Sequence, residues 1–428
     1  MDNGVGRKRQ AMSDIKLQAS RLLSKQCTFP RADSYEIKGI AGPDKDGSVY
    51  AIVNYEENDE NANINVADRV LKLDMKNRRI QWLHKVTGSL TNWEEIDGRD
   101  VSRCSSKSGS AFVVSGDGTK LYFLTTDMEI DDKYEKPVRN TLYEYDTITG
   151  IERSVAHVPD FFRYGFFVSP DGSKLLVPHH NDEQGDSVGQ VYDLKNGKVH
   201  SLARSVWDWD DTTSMCFSND GNRIVITRRD TSDDTYEAAM VFNTDTGRPL
   251  FSEDKVIHRS SEVQVEDGTS ASCHGGISSS CVAPIPGGYL FAFSDGFVKT
   301  DENLNQVEYM PLDGKDMMKV RAPCFFMLDA QCRFGLVAWD ENYCYVDFEE
   351  HTYCDDITTL FSSNNYSGEQ VILFSRDGSK LYSDFRWWHS DDDTVWEVPL
   401  SGLPMKPFAA PKPAEPEFDW SVFNEGDN

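Results

Sequence analysis

One four-residue pattern recurs along this chain: Ser-Gly-Asp-Gly at Ser115–Gly118, Ser-Pro-Asp-Gly at Ser169–Gly172, Ser-Asn-Asp-Gly at Ser218–Gly221 and Ser-Arg-Asp-Gly at Ser375–Gly378. An Asp-Gly pair supplies the positive φ angles of a tight hairpin, and each copy is flanked by short apolar, alternating segments that read as strands. A unit this small cannot bury its own apolar face. A chain built from it must therefore stack its copies against one another.

The same order of segments surrounds each turn. In the best-preserved copy it runs Ala111–Val114, the turn, Leu121–Leu124, an acidic loop over 127–140, Thr141–Asp146, the turn Ile148–Gly150, and Ile151–Ala156. Decayed forms of the unit are found at Asp46-Gly47 before Val49–Tyr55, at Pro286-Gly287-Gly288 before Tyr289–Phe293, and at Asp329–Cys332 before Phe334–Ala338. Seven units then fill residues 33–400 at about 52 residues each. Ser-x-Asp-Gly turns combined with Tyr-x-Tyr-Asp-x-x-Thr-Gly segments, as at Tyr143–Gly150, resemble the WD40-like and YVTN-type seven-bladed β-propellers over this whole span. The resemblance implies an all-β ring of seven four-stranded antiparallel blades. No Gly-His pair opens the units and only Trp396 sits near the place of a Trp-Asp dipeptide, so no subfamily is implied.

A ring must close, or its last sheet presents a bare edge. Residues 371–400 hold three clear strands, so a fourth must come from elsewhere. The expected donor is the N-terminal stretch near Cys27–Phe29. Pro404–Phe408 is the weaker alternative, because proline lacks the amide that a ladder needs. The chain thus divides into an N-terminal arm (1–32), the ring (33–400), and a Pro-rich linker with an acidic aromatic tail (401–428). Residues 13–25 have the spacing of an amphipathic helix, with Ile15, Leu22 and Leu23 on one side.

With 39% hydrophobic and 11% aromatic residues the chain can build a sizeable core. No run of about 18 apolar residues offers a membrane span, and the first residues lack the apolar stretch of a secretory signal, so a soluble cytoplasmic protein is expected. Nine scattered Cys without a Cys-x-x-Cys pair fit reduced thiols better than a disulfide framework or a zinc site. The formal net charge is −27. Such a body repels phosphate backbones, which argues against direct nucleic-acid binding and favours basic protein partners.

Candidate sites lie where the units differ. Acidic clusters recur between second and third strands: Glu56–Asp59, Asp127–Asp132, Asn181–Glu183, Asp230 with Asp233-Asp234, Asp295, Asp340-Glu341 and Asp391–Asp393. They are expected to form a collar on one face, either solvated and structural or, as the alternative, holding a divalent cation such as Ca²⁺ or Mg²⁺. His180, Asp182, Asp230 and His389, with Arg386 nearby in sequence, are the candidate ligands for that alternative. Trp207 and Trp209, flanked by Asp, suit cation–π recognition of a basic partner or a wedge between blades, and Trp387-Trp388 adds a second aromatic pair. Trp420 and Phe423, three apart in an acidic tail, suit docking into a partner's groove or folding back on the ring. Cys273-His274 in the long connection Lys255–Ile277 reads as a loop thiol, since neighbours on an extended chain point apart. No P-loop, dinucleotide turn or Gly-x-Ser-x-Gly elbow occurs, no catalytic residue is assigned, and no cofactor is expected. The function expected is a non-enzymatic protein-interaction scaffold; the alternative is a propeller hydrolase or lactonase with a cation at the channel mouth.

Overall fold

The structure, a computed structural model, describes residues 20–23, 34–58, 64–77, 79–85, 94–96, 99–105, 112–131, 134–158, 166–178, 187–203, 212–229, 236–252, 255–259, 282–293, 296–312, 325–339, 342–354, 357, 372–385 and 394–409. They form seven antiparallel sheets in chain order, the blades of an all-β propeller. Blade one comprises Ser34–Ala41, Val49–Asn58, Ile64–Asp74 and Arg79–Lys85; blade three, Phe167–Val168, Lys174–Pro178, Ser187–Asp193 and Val199–Ala203. Blades four, five and six repeat the order from Thr212–Phe217, Val282–Ile285 and Phe325–Leu328. The first strands of neighbouring blades approach one another, which places them around the axis.

The period-two alternation of the strands is resolved in three dimensions as packing against two different neighbours. Leu121 and Phe123 in blade two pack with Tyr50, Ile52 and Val70 of blade one. Tyr122 between them packs with Leu175, Val177 and Tyr192 of blade three. A separate apolar cluster of this kind fills every seam, including the one that joins blade seven to blade one through Tyr382, Val395, Ile37 and Val53. Each large side chain fully buried there contributes about 1.5–3 kcal/mol.

The recurring turn is held by its own residues. In blade two Ser115 Oγ donates to Asp117 Oδ1 (2.7 Å), which also accepts from the Thr119 amide (3.0 Å) and hydroxyl (2.8 Å). The Gly118 amide bonds the Ser115 carbonyl at 2.8 Å, with Gly118 at φ 71°. The same serine, aspartate and following polar residue repeat the arrangement at Asp171, Asp220 and Asp377. Where the serine is lost an aspartate takes its place: Asp44 Oδ1 accepts from the Asp46 and Ser48 amides, and Asp329 Oδ1 from those of Arg333 and Phe334. In blade six Cys332, at φ 57°, stands where the other turns have glycine.

Ring closure departs from the expectation in its residues. The fourth strand of blade seven comes from the N-terminal side but is Ser20–Leu23, which pairs with Thr394–Pro399 through Ser20↔Glu397 and Arg21↔Trp396. Ser20–Leu23 is extended, so the helix expected over 13–25 is corrected there. The unpaired edge of Thr394–Pro399 offers the segment ladder bonds that outweigh a short helix's weak intrinsic preference. Pro404–Phe408 does not close blade seven: Lys406–Pro407 adds a fifth strand to blade six, opposite Thr352–Tyr353.

The acidic loop expected over 127–140 is also corrected. Lys120–Asp131 and Tyr134–Asp146 form one long hairpin, paired from Lys120↔Asp146 to Asp131↔Tyr134. Arg99–Ser105 pairs with its far half, and Glu94–Ile96 adds a further strand. Likewise Glu56, Glu57 and Asn58 belong to the strand Val49–Asn58. At about 3.3 Å per residue the far half of the blade-two hairpin extends roughly 26 Å beyond the part paired with Phe112–Val114.

Candidate functional site

Antiparallel order sends the first-to-second and third-to-fourth turns of every blade to one end of the ring. Backbone bonds tie the two turns together, for example Thr147 N to Thr119 O (3.0 Å), Leu194 N to Ser173 O (2.9 Å) and Thr244 N to Asn222 O (3.0 Å). The connections between second and third strands leave from the opposite end. The turn end is therefore scaffold, and variation is carried by the other.

Two of the buried carboxylates at the turn end link neighbouring blades. Asp44, 2% exposed, accepts from Tyr50 Oη (2.8 Å) and Lys72 Nζ (3.2 Å), and Tyr50 Oη also lies 3.2 Å from the Gly118 carbonyl of blade two. Burial first, then the Asp44 carboxylate, pushes the Tyr50 phenol far above its ordinary range. Glu144, 4% exposed, repeats the device one seam on. Tyr122 Oη is 3.3 Å from its Oε2 and 3.2 Å from the Gly172 carbonyl of blade three. Arg153 forks onto Glu144 with two bonds of 3.0 Å, and Lys120 lies 3.3 Å away. Burial alone would raise the Glu144 carboxyl, but Arg153 and then Lys120 hold it below the usual range. Both carboxylates are saturated, and their chemistry is that of clasps between blades, with no open valence for a substrate.

The turn aspartates are committed in the same way. Burial opposes ionisation of Asp171, yet the Ser173 and Ser169 hydroxyls and the Ser173 amide bring it down to about 2. For Asp220 and Asp377 the largest effect is the serine hydroxyl two residues before, which lowers both. Among the described residues no group of three or more His, Cys, Asp or Glu is placed to hold a metal ion, and no helix is long and apolar enough to cross a membrane.

Most of the residues singled out from sequence belong to connections between described strands, and the others to the tail. His180, Asp182, Asp230, His389, Arg386, Trp207, Trp209, Trp387, Trp388, Trp420 and Phe423 all lie outside the described residues, as do Cys273 and His274. What the described strands settle is where their connections start. The connections 179–186, 230–235 and 386–393, which carry most of these residues, all span second to third strands. Sequence reading missed the two clasps and the long hairpin. The clasps join residues 68 and 50 positions apart in different blades, which no local pattern reveals; the hairpin has a signal, since Asp127, Glu129 and Asp131 alternate with Met128 and Ile130.

No protein-family model matches the chain, and no curated protein sequence matches it. Among solved structures it is similar to an oligogalacturonate lyase in complex with manganese, at 10% identity and a TM-score of 0.42, over 92% of this chain and 94% of that one. An oligogalacturonate lyase from Vibrio parahaemolyticus gives 10% identity and a TM-score of 0.42, over 91% and 95%. A prolyl endopeptidase gives 11% and 0.45, over 95% of this chain and 54% of the other.

Proposed function

We propose that this propeller is a non-enzymatic interaction scaffold that binds basic protein partners at the end opposite its turns, with its terminal segments as additional arms. The observation that supports this reading is the partition of charge between the two ends. The seven second-to-third-strand connections (59–63, 132–133, 179–186, 230–235, 294–295, 340–341 and 386–393) hold fifteen acidic residues against two basic ones, a net of −13. The seven first-to-second turns (42–48, 115–119, 169–173, 218–222, 286–287, 329–333 and 375–379), of nearly equal total length, hold seven against three, a net of −4. The carboxylates of six of the seven acidic turn residues, Asp44, Asp117, Asp171, Asp220, Asp329 and Asp377, accept from turn amides or hydroxyls. Those of the connections are in excess of any basic residue in the same segments, and a concentrated single sign of charge steers and holds an oppositely charged partner.

Affinity capture from a cell extract at about 0.1 M and about 1 M salt tests the reading, because screening shortens from roughly 10 Å to 3 Å over that range. Changing Asp182, Asp230, Asp233, Asp391 and Asp392 together to Asn is expected to weaken capture at least tenfold at low salt. Calorimetry supplies the opposing outcome. A stoichiometric divalent-cation site lost in His180→Ala or Asp182→Ala would replace the scaffold reading with the hydrolytic one.

A further inference from the structure

The turns between third and fourth strands follow one plan in blades two, three and four. The residue that opens each turn caps it with a side-chain oxygen. Asp146 Oδ1 accepts from the Ile148 and Thr149 amides, Asp193 Oδ1 from those of Lys195 and Asn196, and Asn243 Oδ1 from those of Asp245 and Thr246. A glycine in the left-handed region closes each turn, Gly150, Gly197 and Gly247 at φ 71°, 71° and 66°. The residue before that glycine is threonine in blades two and four but asparagine in blade three. Asn196-Gly197 is the one Asn-Gly pair between residues 33 and 400. Both residues and the flanking Lys195 and Lys198 are exposed.

We propose that Asn196 is a site of spontaneous covalent modification, deamidation through a succinimide ring closed by the Gly197 nitrogen. The turn favours this reaction. The carboxamide oxygen Oδ1 accepts from the Lys198 amide at 2.8 Å, so a donor already stands where negative charge develops when Cγ is attacked. A Cβ at Gly197 would meet nothing within 4 Å, so the ring has room to close. The reacting atoms belong to neighbouring residues, and no second molecule is needed to bring them together. The Gly197 amide bonds the Asp193 carbonyl (2.8 Å) and must first leave it, an opening that exposed turns undergo readily. The nitrogen then gives its proton to solvent hydroxide and bonds Cγ, while the Cγ–Nδ2 bond breaks and ammonia departs with a proton taken from water. Water opens the ring at either carbonyl and leaves aspartate or isoaspartate. One water is consumed and one ammonia released, with nothing oxidised or reduced. In the intact turn Asn196 Nδ2 donates to Asp193 Oδ2 at 2.6 Å, and either product sets an oxygen against an oxygen there. Isoaspartate also lengthens the backbone between Asp193 and Lys198, whose amide and carbonyl bond each other (2.8 Å) where Val199–Ala203 joins the blade. The change runs one way and so accumulates with the age of the molecule. It is independent of the acidic end of the ring.

The test holds the full folded chain at mildly alkaline pH, well below its melting temperature, beside the same chain in denaturant and beside Asn196→Thr, which borrows the residue of the sister turns. Peptide masses locate deamidation over time, and enzymatic methylation counts isoaspartate. In the folded chain Asn196 is expected to deamidate at least tenfold faster than any other asparagine between residues 33 and 400, and Asn196→Thr to form no isoaspartate in this turn. A folded chain that keeps Asn196 intact while the denatured chain loses it would mean that the turn shields the amide, and overturns the proposal. So does a folded chain whose other asparagines react as fast. Asn196→Asp, the direct product, should melt below both the parent and Asn196→Thr. A melt equal to the parent's would overturn the loosening of blade three.

Discussion

Two tyrosines buried to the same extent do opposite things. Tyr122, 1% exposed, shares its hydroxyl between Glu144 in its own blade and the Gly172 carbonyl of the next. Tyr289, also 1% exposed, stands in the blade four–five seam with no hydrogen-bond partner for Oη among the described residues, directly across the ladder from Thr300, whose Oγ1 is likewise unpartnered there. Burial drives the Tyr289 phenol far above its ordinary range. The difference follows from turn length. The two-residue turn Pro286-Gly287 in blade five replaces the five-residue turn of blade two, and Tyr289 faces back toward Cys216 and Val225 of blade four, whereas Tyr122 faces forward. A made hydrogen bond contributes about 1 kcal/mol, while leaving a buried donor unmade costs about 1–3 kcal/mol. Tyr122→Phe should therefore lower the melting temperature, and Tyr289→Phe should leave it unchanged or raise it. Calorimetric melts of the two variants decide the point, and an equal fall in both would show that the Tyr289 hydroxyl is satisfied after all.

At the scale of the element, the turn is the part most legible in the sequence, because everything it needs lies within six residues. Serine, aspartate, glycine and the next polar residue appear in order and bond one another in order. The blade-two extension was less legible. Its acidic composition and Pro137 suggest a loop, and only the alternation of Asp127–Asp131 betrays a strand. The candidate site residues could be placed on connections by counting strands, but their convergence depends on segments from different blades and has no local signature. The turn aspartates also carry a pH signature. Asp171 titrates at about 2 in the folded chain, below the roughly 3.9 of an unfolded aspartate, so its contribution is fully present above about pH 4 and is lost as pH falls from there toward 2. Its side chain is 53% exposed, and with screening discounted the contribution is about 1 kcal/mol. Asp171→Asn should be less stable than the parent at pH 6 and converge on it only as pH falls through about 2, as followed by denaturant midpoints across that range. Parallel curves with a constant offset would mean that the carboxylate's charge is irrelevant to the turn.

At the scale of the whole molecule, the seams and their number follow from the repeat, whereas closure rests on four residues that no repeat marks. Ser20–Leu23 is the only strand of the described residues that binds a blade from the other end of the chain. Without it, Thr394–Pro399 would present a bare ladder in which Val395 and Val398 are already buried on the two seams beside it. An edge of that kind pairs with another molecule's edge unless it is covered. Deleting residues 1–23 is therefore expected to lower the melting temperature and to produce concentration-dependent oligomers, seen by light scattering on a sizing column, while the parent stays of one size. Deletion of residues 406–428 removes, among the described residues, the fifth strand of blade six and the contacts of Phe408 and Ala409. That blade keeps its own four strands, so the second truncation should leave the molecule's size unchanged. If both deletions gave the same oligomers, the edge of blade seven would not be the cause. A shortened N-terminus that melts and elutes like the parent would mean that the ring holds together through its seven seams alone.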